Sequence, residues 1–270
     1  MGKLLKWDFY KAKKMKSTWL LLAALIILSA ISVMMTYSNL KDIEELKLSE
    51  NIEAMQKDVV GKTYEEMDVL DWTLALSGGN FLLMFTIIFA VFLATTDFTT
   101  GFIKNMYGYI GNKSSFIISK IILTAIFSLL TFVLTYLVAF IADWVLLETS
   151  SIVAWSGFLR YTLAKWMLIL GYGSLVIAIA VITRKNALTL IISLGYFLFL
   201  QEPFYKGINT LVEKVTSNPF DITQYSLVGN IEIIRHTITT KEMITCMIVS
   251  IVAIALSIGV GHWSLKNQDI

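Results

Sequence analysis

A single cysteine, Cys246, set inside an apolar run, excludes an intramolecular disulfide and any cysteine-built metal site. Two histidines, His236 and His262, fall in different segments and belong to no ligand cluster; both read as polar residues at a membrane edge. With only 2 prolines and no low-complexity tract or internal repeat, the sequence offers neither a linker nor a second soluble domain, so residues 1–270 read as one integral domain. Charge is scarce too. Asp, Glu, Lys and Arg make up 16% of the chain, against about a quarter in a soluble domain, while 56% is hydrophobic. This is the composition of a membrane protein.

Catalytic signatures are missing as well. There is no GxxxxGK[ST] phosphate loop: "GYIGNKSS" puts Asn112 between Gly111 and Lys113 and has the wrong spacing. HExxH and GxSxG are absent, and no carboxylate pair falls inside an apolar run, so the chain has no evident means of hydrolysing a bond or of coupling to an ion gradient. Lys120, Arg160 and Lys165 lie near the ends of apolar runs, where snorkelling to the interface is expected to suffice.

What the sequence does have is length between charges. A hydrocarbon core about 30 Å thick takes about 20 apolar residues of helix, because lipid satisfies no backbone polar group. Uncharged intervals of 24, 25, 22, 18, 16 and 23 residues separate Lys16 from Lys41, Asp71 from Asp97, Lys120 from Asp143, Lys165 from Arg184, Lys185 from Glu202 and Glu242 from Lys266. Six spans are therefore expected, with Arg184 and Lys185 as a tight turn between the fourth and the fifth. The first run is too long for a signal-peptide core and lacks a small-x-small cleavage site. If the N-terminus is placed inside, inner segments hold 12 of the 22 basic residues but 3 of the 20 acids, so both termini are expected to be cytoplasmic.

Four further segments are patterned. In "MGKLLKWDFYKAKKMK" a helical wheel gathers Leu4, Leu5, Phe9, Ala12 and Met15 on one side. Lys3, Lys6, Lys11, Lys13 and Lys14 fall on the other, with Trp7 and Tyr10 at the flank, as in an interfacial helix with lysines toward anionic headgroups. The outer stretch 38–77 is acidic, with apolar residues at near-helical spacing, and predicts a helix or hairpin. In the outer stretch 202–242, Pro203 and Pro219 punctuate a run in which Ile208, Leu211, Val212 and Val215 predict a short interfacial helix. After the second span, Asp97, Thr99 and Thr100 can cap a helix over Phe102 to Tyr109. That helix would present Phe102, Ile103, Met106 and Tyr107 to a cytosolic surface before Gly108 and Gly111 end it. Small residues share faces on two spans, Gly171, Ser174 and Ala178 on one and Ala253, Ser257 and Gly261 on the other, which permits close helix packing.

This layout, with the run "D-F-x-x-G-x-I-K-N" at Asp97, Phe98, Gly101, Ile103, Lys104 and Asn105 and the pair Ser119–Lys120 opening the third span, resembles the permease subunit of an ABC-2 type exporter. In general texture it is most similar to small Gram-positive permeases that export, or confer immunity to, antimicrobial and amphipathic peptides such as lantibiotics and phenol-soluble modulins. The resemblance implies an all-α membrane protein of the bacterial cytoplasmic membrane. It would have six spans, a coupling helix between spans 2 and 3 formed by Asp97, Phe98, Gly101, Phe102, Ile103, Lys104, Asn105, Met106 and Tyr107, and extracellular helices between spans 1 and 2 and between spans 5 and 6. An interfacial N-terminal helix carrying Lys3, Lys6, Trp7, Lys11, Lys13 and Lys14 would brace the coupling helix. It further implies a partner ATPase in two copies, ATP and Mg held on that partner and not on this chain, a second permease copy or related chain, an amphipathic or hydrophobic peptide cargo, and no nucleic acid. The competing readings are a channel, another transporter, or a sensor or scaffold subunit that works without ATP.

Overall fold

A computed structural model describes residues 2–47, 81–103, 113–146, 155–216, 221–234 and 238–267. The described residues are helical, without strands. Helix α1 covers Gly2–Lys14, α2 Lys16–Lys47, α3 Phe81–Thr99, α4 Lys113–Leu146, α5 Trp155–Thr183, α6 Asn186–Gly195, α7 Gln201–Thr216, α8 Leu227–Ile233 and α9 Thr240–Asn267. Six stretches are long and apolar enough to cross a membrane: Lys16–Met35, Phe81–Thr99, Lys113–Ala142, Trp155–Thr183, Asn186–Val215 and Thr240–Asn267. The protein is a multi-pass, all-α membrane protein.

Helices α3 and α5 form the centre of the bundle. Leu83, Ile87, Ala90, Val91 and Leu93 of α3 and Tyr161, Leu168, Ile177 and Val181 of α5 are sealed from the surface. The small faces meet as their spacing predicts. Ser174 and Ser257 share a hydrogen bond of 3.1 Å between α5 and α9. A Cβ on Gly171 would come within 3.2 Å of the Ser250 Cα and 3.0 Å of Leu227 Cδ2, so any side chain here would push α9 or Leu227 back by a few tenths of an ångström.

The fifth span departs from expectation. Glu202 and Lys206 do not end it; the helix runs on through α7, joined to α6 by a π turn at Tyr196–Leu200 in which the Gln201 N–H donates to the Tyr196 carbonyl. Pro203 explains the wide turn. Its ring supplies no N–H and crowds the carbonyl four residues back, and a turn with an extra residue just ahead of it relieves that crowding while the helix continues. The predicted apolar helix over Ile208 to Val215 is thus the tip of a spanning helix, with Leu211 and Val215 exposed.

Helix α8 was not foreseen. Ser226 caps it, accepting from the Gly229 N–H at 3.0 Å, and Leu227, Val228 and Ile231 are buried against α5. Leu227 reaches the level of Gly171, roughly 24 Å along α5 from its Trp155 end. The connection between the fifth and sixth spans therefore dips into the bundle instead of resting over it. Of the acidic outer stretch, α2 accounts for residues up to Lys47; the rest of that expectation lies outside the described residues.

Candidate functional site

α1 carries an acid among its lysines, and the fold turns that acid inward. At 100° per residue Asp8 lies between Leu4 and Ala12, at the middle of the arc that packs against the bundle, and it is 1% exposed. Its Oδ1 accepts from Lys120 Nζ at 2.5 Å and its Oδ2 from Ser119 Oγ at 2.6 Å, both on α4. Lys120, 0% exposed, also pairs with Oδ2 of Asp97, in the last turn of α3. Asp97 Oδ1 in turn accepts from Lys11 Nζ at 2.5 Å, and the same ammonium lies 3.4 Å from the Leu93 carbonyl.

The four groups form a ladder, Lys11, Asp97, Lys120 and Asp8, alternating in sign and summing to zero, that ties α1 to the same ends of α3 and α4. Alternation is what makes its burial tolerable. A lone ion in such a place costs several kcal/mol, whereas here each inner member faces two opposite charges. Burial, followed by the like charge of Lys120, holds the Lys11 ammonium below the ordinary lysine pKa, an effect that Asp97 partly offsets.

Aromatic contacts grip the same region. The Trp7 ring stacks on Phe102 with centroids 5.0 Å apart and planes 9° from parallel. Phe98 meets Phe116 edge-on at 6.0 Å, and the Arg184 guanidinium lies 5.5 Å from the Phe98 centroid. Arg184 has φ 57°, which lets the chain reverse between α5 and α6. At its start α4 is held to the end of α9 by Lys113 donating to the Leu265 carbonyl at 3.0 Å and by the Ser114–His262 hydrogen bond of 2.9 Å. The ends of α3, α4 and α9, the turn at Arg184 and the whole of α1 thus make one layer.

Several site expectations change. Asp97 does not cap a following helix; it lies within α3, which Gly101, at φ 68°, brings to a close. Phe102 and Ile103 begin a helical turn but do not point away from the protein: Phe102 is covered by Trp7, and Ile103 is 4% exposed within the apolar core. Lys104, Asn105, Met106 and Tyr107 lie outside the described residues. On α1, Lys3, Lys6, Lys13 and Lys14 are exposed as expected, but Lys11 faces the ladder and Phe9 is exposed. Lys120 and Lys165 do not snorkel. Lys165 is buried within α5, about 15 Å from its Trp155 end, donating to the Tyr161 hydroxyl at 3.0 Å. One sequence signal could have found the ladder: an acid placed by the helical repeat among the apolar residues of a lysine-rich helix needs a buried cation, and Lys120 opens an otherwise apolar run.

The profile of the family described as "ABC-2 family transporter protein" matches residues 4–200, a range that includes the whole ladder. No curated protein matches the chain.

Proposed function

The chain belongs to the ABC-2 transporter family, and from that premise we propose that it is the membrane permease of an ATP-driven exporter whose cargo is an amphipathic or hydrophobic peptide. The family implies an ATP-binding partner subunit. In the proposed assembly two such subunits carry the ATP and Mg, and this chain, which hydrolyses nothing itself, pairs with a second permease copy or a related chain. Both termini face the cytoplasm of a bacterial cell, because the basic residues gather at the end where α1, the Arg184 turn and the start of α4 lie. The acidic outer segments favour a cationic cargo.

The observation that carries the reading is the joint at the end of α3. The segment after Gly101 is the coupling element, and the residues on its membrane side, Asp97, Phe98, Phe102 and Ile103, are bound to α1 and α4 by ion pairs, ring contacts and core packing. Lys104, Asn105, Met106 and Tyr107 supply the contact with the ATPase. A push on them passes to α3 and α4 together through the ladder and shifts the two arrangements of the spans that the ATPase distinguishes.

The test is a mild-detergent purification of the chain from its native membrane, with an ATPase assay on whatever accompanies it. A co-purifying nucleotide-hydrolysing subunit whose activity responds to amphipathic peptides, and which uncouples when Tyr107 is changed to glycine, is the expected result. A chain that purifies alone with no associated hydrolysis overturns the reading in favour of a channel or sensor.

A further inference from the structure

The ladder leaves α1 with an unused side. Its docked arc holds Leu4, Leu5, Asp8, Lys11 and Ala12; the opposite arc holds Lys3, Lys6, Lys13 and Lys14, all exposed, with no acid among them. Tyr10 stands between these lysines at 56% exposure with the Lys14 ammonium 5.6 Å from its ring, and Trp19, 58% exposed, donates its indole N–H to the Lys13 carbonyl at 2.9 Å. The depth of α1 is set by its ladder contacts. Lys11 reaches the carbonyl of Leu93, six residues inside the end of α3, and Asp8 reaches Lys120, seven residues inside the start of α4. These contacts lay α1 alongside the last turns of α3 and the first turns of α4, and its Trp7 reaches Phe102 just past the end of α3.

We propose that the exposed arc of α1 is a binding site for anionic phospholipid headgroups, with Lys3, Lys6, Lys13 and Lys14 as the charge partners and Tyr10 and Trp19 at the lipid boundary. Charge complementarity selects this occupant. A lysine arc without acids, beside the ends of the spanning helices and interleaved with exposed aromatic rings, is matched by anionic lipid in both its polar and its apolar parts. Trp19 belongs to the first spanning stretch, Lys16–Met35, so the arc is continuous with the exposed apolar surface of a membrane span. Because the other side of α1 is locked to Asp97 and Lys120, lipid held on this arc steadies the joint ahead of the coupling segment. The site depends on the membrane placement of α1 and not on the transport reading.

The experiment uses the full-length chain alone in bilayers, with spin-labelled phosphatidylglycerol and phosphatidylcholine as probes of lipid contact. The expected preference for the anionic probe is at least about fivefold, the contribution of one lysine near a charged surface. It should fall to near parity in the Lys3→Gln, Lys6→Gln, Lys13→Gln, Lys14→Gln variant, persist when the same four are changed to arginine, and fade for the unchanged protein at 1 M salt, where screening acts over about 3 Å. A preference that survives the glutamine changes, or one that is absent from the unchanged protein, overturns the proposal. In a parallel purification with the ATP-binding partner present, a glutamine variant that loses the partner while keeping its lipid preference also overturns the proposal and assigns the arc to that protein.

Discussion

Changing Lys120 to methionine tests the ladder where it is most vulnerable. Lys120 is fully buried and faces both aspartates, so among the described residues its loss leaves Asp97 with Lys11 and Asp8 with the Ser119 hydroxyl, a net charge of −1 in a closed site. Removing one partner of a buried pair costs about 3–5 kcal/mol, because the other charge stays behind. The companion variant, Asp8→Leu with Lys120→Met, removes both. Lys11 and Asp97 then remain as a neutral pair, Ser119 keeps its 2.9 Å bond to the Phe116 carbonyl, and the expected stability lies within about 1 kcal/mol of the parent or above it. Reversible unfolding in mixed micelles, followed by tryptophan fluorescence, of the parent, Lys120→Met, Asp8→Leu and the double variant gives the four stabilities from which the coupling of the pair follows. An exposed pair calibrates the scale. Lys206 and Glu202 are 3.8 Å apart at 81% and 77% side-chain exposure, and Lys206→Ala should change stability by no more than about 0.5 kcal/mol. If Lys120→Met is equally mild, or if the double variant is as unstable as the two single changes added together, the ladder is not the fastening described above.

Other perturbations separate packing from conformation. Gly171→Ala forces a methyl to within 3.0 Å of Leu227 and 3.2 Å of the Ser250 backbone and should lose about 1–3 kcal/mol in the same assay, whereas Gly259→Ala, with nothing within 4 Å among the described residues, should gain about 0.5–1 kcal/mol. Gly101→Ala meets nothing within 4 Å among the described residues but must hold φ near 68°, so a loss of about 1 kcal/mol is expected from backbone strain; reconstituted with the ATPase, it should weaken the link between hydrolysis and transport while leaving binding of the subunit intact. Trp7→Ala removes the stack on Phe102, worth about 0.5–1.5 kcal/mol beyond area burial, and should make α1 easier to cleave by trypsin; Trp7→Phe should restore most of the protection.

Six spans were legible from charge spacing, because lipid tolerates few unpaired ions, but the intervals fell short at the starts of the third and fourth, which run Lys113–Ala142 and Trp155–Thr183 and enclose Lys120, Arg160 and Lys165. The fifth departs at one end for the same reason: Glu202 closes its uncharged interval, but a helix need not stop when it reaches water, and the π turn before Pro203 carries it on. Gly171, Ser174 and Ser257 were readable because close approach demands small side chains at helical spacing. The ladder was not, since its partners lie 86 and 112 residues apart and each alone resembles an ordinary interfacial charge. α8 escaped because "SLVGNIEI" is too short for a strong periodic signal, and its burial depends on a gap between α5 and α9 that only the assembled bundle defines.

The ladder also sets an order of assembly. Asp8 leaves the ribosome 112 residues before Lys120, an interval of roughly 6–22 s at synthesis rates of about 5–20 residues per second. Throughout that time the helix that will brace the joint has no socket: Lys11 lacks its acid until the second span is made, and Asp8 lacks its cation until the third enters the bilayer. Closure of the ladder therefore marks the moment at which half of the spans are in place, and a chain halted before residue 120 carries the brace with nothing to fasten it to.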